Sequence, residues 1–407
     1  QDEAHYWEWS RRLDWNYYSK GPAVAALIAL STGLLGDTAF AVRLPAVLCI
    51  AAMGVMFFLA VREVAGATLA LLAFIALRST MFFATAGLVM TTDPPAFLCW
   101  SSGLYFLVRA IKRGESASWI GVGLAFGCAT LSKYTAGYMF PLLLVFLAVS
   151  PRQRFHLRSF GLYSGVVLYL LCLAPIFYWN SQHQWVSLAH NSAHLVSSDA
   201  RYFNPKYIGE LFGGQLVAIG PLLLLGILWG YWQGLRRYRA GDDLAGVLAV
   251  TGLPLLLLCF VISLTKRVYL NWPMPTYLSG LLLLAYIISL EGATFRYARK
   301  INLAILLSLG LTIGAFIPIL DLAPGFIADK LPTNRLVGWD KLGARVASTL
   351  EQQSDLARAV ITDDYGVASE ISFHVASRPE TYCFNEGSRR MNQYDIWGGW
   401  HKLKDCL

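Results

Sequence analysis

Charge is what this chain has least of. Only 14% of its 407 residues are Asp, Glu, Lys or Arg and 56% are hydrophobic, whereas soluble domains carry about a quarter charged residues. That excludes an ordinary soluble domain. Paired cysteine spacing is missing too: the seven cysteines include no CxxC, so a zinc site of that type has no support. Cys49, Cys99, Cys128, Cys172 and Cys259 lie in apolar runs and read as small buried hydrophobes. Cys383 and Cys406, near the polar end, are able to pair if that end lies outside the cytosol. Internal repeats and low-complexity tracts are absent. The chain opens in polar sequence without an initiating methionine or signal peptide, which raises the expectation of a membrane helix upstream of Gln1.

What is present in quantity is apolar sequence. Runs near 41–63, 66–87, 94–111, 117–132, 137–149, 160–178, 208–233, 244–264, 273–290 and 301–320 approach or exceed the roughly 20 residues that a helix needs to cross a bilayer. The expected fold is mainly α, a polytopic membrane bundle over 1–320. A net charge of +8 then reports topology before it suggests nucleic acid. The loops "KRGES", "PRQRFHLRS", "RRYRAGDD" and "RYARK" hold eleven Lys and Arg residues. The alternate set, "LVMTTDPP", "SKYT", the long "NSQHQWVSLAHNSAHLVSSDARYFNPKY" and "TKRVYLNWP", holds five. Positive-inside bias puts the first set in the cytosol, leaving the opening stretch, 179–207 and everything after 320 outside.

Beyond residue 320 the texture changes. "DKLGARVASTLEQQ" reads as an amphipathic helix, "ARAVITDD" as a strand ending in acids, "YGVASEISFHVA" as a helix and "ETYCF" as a strand. Strands alternating with helices predict a small extracytoplasmic α/β domain over 321–407.

The opening segment, "DEAHYWEWSRRLDWNYYSKGP", is the densest in chemistry. Tyr6, Trp9 and Leu13 share a helical face, which predicts an interfacial helix over 3–14 with its rings at headgroup depth. Asp2 at its start is either a helix cap or a general base. Asp93, before Pro94, has the same two readings. Lys20, Lys133, Lys266 and Arg267 are basic residues on the side that disfavours them, which suggests an anionic ligand such as a lipid phosphate; snorkelling explains Lys133 equally well. Tyr178, Trp179 and Trp185 fit an aromatic belt, while Asn180 and His183 have groups suited to a sugar or headgroup. His183, His190 and His194 lack the spacing and the carboxylate of a metal site, so none is expected.

Taken in order, the opening segment, "FAVRLPAVL", "TTDPPAF", "LSKYTAG", "YWNSQHQW", "NWPMPTYL", "RLVGWDKLG" and "NQYDIWGGW" resemble the bacterial protein-mannosyltransferase-like glycosyltransferases of the GT-C fold, which include the lipid A aminoarabinose transferases. The resemblance covers nearly the whole chain. It implies an inverting transfer of sugar from a polyprenyl-phosphate donor to an envelope acceptor (lipid A, another glycolipid or protein) at a bacterial inner membrane, with the site on the periplasmic side. It implies catalytic roles for Asp2, Glu3 and Asp93. Lys20 and Lys133, with Arg267 added from its position, are expected at the donor phosphate, and Tyr17, Tyr18, Tyr134, Asn180 and His183 at the substrate. No cofactor is firmly called for, with a divalent metal left open; the partners are the donor, the acceptor and membrane lipids, not nucleic acid. Ser19 and Gly21 depart from the pattern, in which an acid or histidine precedes that lysine and a proline follows it. Chemically the roles cohere, since fixed cations at a leaving phosphate stabilise charge that grows in the transition state. A lipid-linked sugar transporter is the alternative, but such proteins tend to show repeated halves and midplane charges. A scaffold whose outer domain binds partners would leave the adjacent acids without a purpose.

Overall fold

Apolar runs in lipid have to satisfy their backbone groups within themselves, and helices do so. The computed structural model describes residues 1–196, 203–292, 294–319, 338–352, 359–385, 387 and 390–399. In chain order come α1 (Asp2–Ser10), α2 (Ala23–Leu35), α3 (Ala39–Ser79), α4 (Met81–Thr85), α5 (Asp93–Arg113), α6 (Ser118–Ser132), α7 (Met139–Val149), α8 (Phe160–Gln182) and α9 (Val186–Val196). Then follow α10 (Pro205–Ile219), α11 (Pro221–Arg239), α12 (Asp243–Val250), α13 (Leu253–Ser263), α14 (Met274–Leu290) and α15 (Thr294–Ile319). Among the described residues, four helices are long and apolar enough to cross a membrane: Ala39–Ser79, Phe160–Gln182, Asp243–Ser263 and Tyr297–Phe316. A fifth is reached if α10 and α11 make one broken span, and Ala23–Leu35, Ser118–Ser132, Tyr134–Val149 and Met274–Leu290 are shorter apolar helices.

Three expectations change. The run 208–233 is two helices bent by 106°, because Gly220 sits at φ 89°, a conformation that costs other residues strain, and Pro221 starts the next helix. The helix α2 falls outside the apolar runs read from sequence, since Gly21, Pro22 and Gly36 set it off as a short separate piece. The runs 41–63 and 66–87 are near-continuous in α3, which kinks at Gly66.

Helix packing in lipid depends on contact and internal hydrogen bonds more than on solvent exclusion. The main core is built from α3, α5, α6, α7, α11, α12 and α14. Within it, the Trp100 indole donates to Ser279 Oγ at 3.1 Å and the Tyr231 hydroxyl to the Thr276 carbonyl at 2.5 Å. Polar loops gather at two ends. At one, Arg113 meets Glu63 at 2.6 Å, and Gln153 donates to Asp243 at 3.2 Å. At the other, Trp179 Nε1 donates to Asp14 Oδ2 at 2.7 Å, and the Tyr134 hydroxyl to Asn16 Oδ1 at 2.6 Å.

The opening helix corrects the interfacial reading of 3–14. It ends at Ser10, Leu13 beyond it is 62% exposed, and Trp7 and Trp9 are almost fully buried. Its partner is protein on both sides: α2, and a helix spanning Tyr365–His374. The Trp7 indole donates to Asp37 at 2.8 Å, Arg11 donates to Ser372 Oγ at 3.1 Å, and Ser372 donates to Glu8 at 3.0 Å. Polar residues that looked solvent-facing are matched across this seam.

The Tyr365–His374 helix joins β1 (Ala359–Thr362) to β2 (Glu380–Cys383), which pair in parallel with Ala359 opposite Glu380. A parallel pair needs such a crossover. Asp364 caps the helix, accepting from Gly366 N at 2.7 Å and Val367 N at 3.0 Å. The helix Trp339–Gln352 packs against it, and a short helix, Gln393–Trp397, opens with a capping box from Asn392 and Asp395. The expected boundary near 320 and the Cys406 partner of Cys383 lie outside the described residues.

Candidate active site

Where the opening segment, α9 and the C-terminal unit meet, they leave a cavity of about 400 Å³. Asp2, His5 and Tyr6 of α1 line it, together with Tyr18, Ser19 and Lys20, with His190 and Asn191 of α9, with Asp363, Asp364 and Tyr365 after β1, and with Arg390 to Gln393. Backbone bonds fix this wall. A turn closes from Tyr17 N–H to the Lys20 carbonyl at 3.2 Å, Tyr18 N–H donates to Gln393 Oε1 at 2.7 Å, and Asn191 Nδ2 to the Ser19 carbonyl at 3.3 Å. Gly21 lets the turn lie against α6: a Cβ there would stand 1.9 Å from the Leu131 carbonyl oxygen. The departure at Gly21 therefore belongs to the packing of this loop.

The charges in the cavity differ in what they are free to do. Asp2 occupies the first turn of α1 rather than its cap, is exposed, and accepts one hydrogen bond, from the Tyr365 hydroxyl to Oδ1 at 3.2 Å. Lys20 is half-buried, and its ammonium group has no hydrogen-bond or ion-pair partner among the described residues. Burial is the main cause lowering its pKa, Lys133 and Arg390 push the same way, and Asp93 and Asp2 oppose them. Lys20 thus sits within electrostatic reach of both candidate acids. Asp363 is exposed and likewise unpaired among the described residues, while its neighbour Asp364 caps a helix. His190 holds the far side, its Nδ1 3.0 Å from the Tyr18 hydroxyl and its Nε2 against Arg390. His5 is no acid or base: burial lowers its pKa to about 3, Trp9 donates to its Nε2 at 3.1 Å, and its Nδ1 lies 3.1 Å from Ser369 Oγ.

Other expected residues lie outside the cavity. Glu3 accepts from Arg43 Nη2 at 2.8 Å and from Met90 N–H at 2.8 Å, joining α1 to α3 and the loop before α5. Asp93 stands inside the first turn of α5 behind Thr92, so Pro94 is second in the helix. Both its oxygens are taken, one by Lys133 Nζ at 2.6 Å and one by Asn271 Nδ2 at 2.7 Å. Lys133 also donates to the Asn271 carbonyl at 3.0 Å and is buried, so neither snorkelling nor direct exposure to the cavity describes it. Arg267 pairs with Glu210 at 3.2 Å beside a separate hollow of about 280 Å³. Tyr17 is buried, stacked on Trp9 at 4.3 Å, with its hydroxyl on the Trp9 and Arg12 carbonyls. The Tyr134 hydroxyl bonds Asn16 and Ser187, Asn180 bonds the Ile176 carbonyl and Leu188 N–H, and His183 stacks on Trp179 at 3.9 Å. Of the five expected substrate groups, only Tyr18 lines the cavity.

Residues that sequence reasoning did not assign come from the far end of the chain. Asp363 and Tyr365 follow the strand that was read as ending in acids, and Arg390 precedes "NQYDIWGGW". The signal was present, but nothing local says that residue 365 meets residue 2. A larger cavity, about 530 Å³, lies among α3, α11, α14 and α15, lined by leucines with Lys300 its single charged side chain. It presents no carboxylate.

Residues 19–179 match the family described as dolichyl-phosphate-mannose-protein mannosyltransferase. A curated relative, the lipid A galacturonosyltransferase RgtD of Rhizobium johnstonii, is 29% identical over 299 residues, which is 71% of this chain and 60% of the relative. The chain thus spans about 60% of that relative's length. Among solved structures, ArnT from Cupriavidus metallidurans in the apo state superposes with TM-score 0.67 at 17% identity, covering 99% of this chain and 84% of ArnT. The same protein bound to undecaprenyl phosphate gives 0.63 at 17% identity, covering 97% and 83%. The archaeal oligosaccharyltransferase AglB from Archaeoglobus fulgidus, with an inhibitory peptide and a dolichol-phosphate, gives 0.52 at 12% identity over 94% of this chain and 60% of AglB. At these identities the likeness is one of fold.

Proposed function

We propose that this chain is a glycosyltransferase of the protein-mannosyltransferase-like GT-C type, which moves a sugar from a polyprenyl-phosphate donor to an envelope glycolipid with inversion at the anomeric carbon. One observation carries this reading: an exposed carboxylate, Asp2, and a cation without a partner among the described residues, Lys20, share one cavity at a polar end of a multi-pass membrane bundle. Transfer needs that pair. Asp2 takes the proton of the acceptor hydroxyl as its oxygen attacks the anomeric carbon. The bond from that carbon to the phosphate oxygen breaks, the electron pair leaves with the polyprenyl phosphate, and Lys20 meets the growing negative charge. Arg390, held against His190, adds positive charge across the cavity.

The remaining acids take supporting roles. Glu3 fixes α1 against α3. Asp93 holds Lys133 and Asn271 beneath the cavity, and that pair sets the field felt by Lys20 without contacting the sugar. Lipid A is the acceptor to test first, since RgtD is a lipid A galacturonosyltransferase, and undecaprenyl phosphate the carrier, since ArnT binds it. The excess of basic residues at the other polar end supports an inner-membrane protein with this site facing the periplasm. Transport fits less well, because the unpaired charges stand at a membrane end and not at the midplane.

The test has two arms. Purified protein is supplied with undecaprenyl-phosphate sugars and lipid A, and envelope lipids from cells with and without the gene are compared by mass spectrometry. A sugar-sized mass gain on lipid A that needs both donor and protein is the expected result. Donor accumulation without any modified lipid, in cells and in vitro, would argue against transfer.

A further inference from the structure

Asp2 is exposed, and an exposed carboxylate on the first turn of a helix has several rotamers open to it. A working general base has to be held. Among the described residues the only hydrogen bond to Asp2 comes from the C-terminal unit, where Tyr365 donates to Oδ1 at 3.2 Å. Tyr365 is itself well placed. It is the first residue of its helix, and that helix start is set by the Asp364 cap. Its ring lies 4.7 Å from the ring of His5, which is anchored to Trp9 and Ser369. Burial and then the charge of Asp2 raise the phenol's pKa, so the hydroxyl keeps its proton and donates it.

We propose that Tyr365 is a positioning residue for Asp2: the C-terminal unit completes the active site by supplying the hydrogen bond that orients the base. The proposal rests on Asp2 being the base. The other charged groups around this contact are Lys20 on the opening segment, Asp93 and Lys133 beneath, Asp363 and Asp364 beside Tyr365, and Arg390 across the cavity. Among the described residues none of them hydrogen-bonds the Asp2 carboxylate, which leaves its orientation to the phenol.

The test is Tyr365→Phe in the full chain, assayed for sugar transfer across pH, alone and combined with Asp2→Asn. Phenylalanine keeps the ring against His5, so the thermal midpoint should hold. A hydrogen bond to an ionised group is worth about tenfold or more, so kcat should fall about tenfold with the donor KM unchanged. Losing a donor to the charged form makes a carboxylate easier to protonate, so the acid limb of kcat/KM should move to higher pH. In the Asp2→Asn background the second change should cost nothing further. If Asp2→Asn is inactive while Tyr365→Phe leaves both kcat and the acid limb unmoved, the proposal falls and the base stands. Equal losses in both backgrounds overturn it as well. An active Asp2→Asn removes the base assignment, and the proposal with it.

Discussion

Asp2 and Asp93 are both acids in the first turn of a helix on the same polar face, and they differ in what holds their oxygens. Among the described residues the Asp2 carboxylate has a single partner, Tyr365, and faces the cavity; Asp93 is buried, with both oxygens bonded. Their asparagine variants should therefore fail differently. Asp2→Asn should keep its thermal midpoint and lose 10²–10⁴-fold in transfer, the usual scale of general-base catalysis. Asp93→Asn leaves the Lys133 charge buried without its counter-ion, a loss on the order of 3–5 kcal/mol, so its thermal midpoint should drop before activity can be compared. The reverse pattern would exchange the roles. Lys20 gives a second residue-scale expectation. Its pKa lies below the usual lysine range, chiefly through burial, and it has to be protonated to hold a phosphate. Donor KM should therefore rise with pH as Lys20 loses its proton, earlier than an ordinary lysine would, and Lys20→Arg should flatten that rise. A donor KM that ignores alkaline pH in the native protein would remove Lys20 from the phosphate. Sequence singled out Asp2 and Lys20 because unusual charge beside a membrane end is informative, and the structure lines one cavity with both and with Tyr18. Sequence could not separate Tyr18 from Tyr17, Tyr134, Asn180 and His183. Rings and amides that tie loops together are the same residue types as those that hold a sugar, and only three-dimensional partners distinguish them.

At the scale of elements, the long apolar helices were legible from hydropathy, and so was the order of helix and strand in "ARAVITDD", "YGVASEISFHVA" and "ETYCF". The helix α1 was misread because a stripe of aromatic residues looks the same whether it meets lipid or protein. Its true partner, the Tyr365–His374 helix, lies more than 350 residues away in sequence (His5 to Ser369 is 364), beyond the reach of periodicity. The break at Gly220 was hidden in a run that is apolar on both sides. The loop carrying Lys20 shows how an element can be set by a missing side chain. Gly21 touches the Leu131 carbonyl so closely that any Cβ would overlap it, so Gly21→Ala should push the Tyr17–Lys20 turn off α6. Overpacking of this kind costs typically about 1–3 kcal/mol. The expected outcome is a lower thermal midpoint together with a raised donor KM, measured on the same preparation. A Gly21→Ala protein with native donor KM would show that the turn tolerates displacement and that Lys20 does not depend on it.

For the whole molecule, the fold makes two polar ends, and function depends on which end faces out. The Arg113–Glu63 and Gln153–Asp243 contacts close one end, while the Asp2 and Lys20 cavity lies at the other. Under the proposed function, a polyprenyl-phosphate sugar and a glycolipid acceptor meet only where both headgroups reach, which places the cavity and the basic loops on opposite faces. Single cysteines in an otherwise cysteine-free background test this. Ser192→Cys, on exposed α9 beside the cavity, should react with a membrane-impermeant thiol reagent in intact cells. Ala240→Cys, in the exposed basic turn after α11, should react only once the inner membrane is opened. Neither position lies in the proposed machinery, so both variants should retain transfer activity and report on folded protein. Labelling of residue 240 in intact cells with protection of residue 192 would invert the molecule. The base, the phosphate lysine and the C-terminal unit would then face the cytosol, where the donor phosphate would have to be met from the other leaflet.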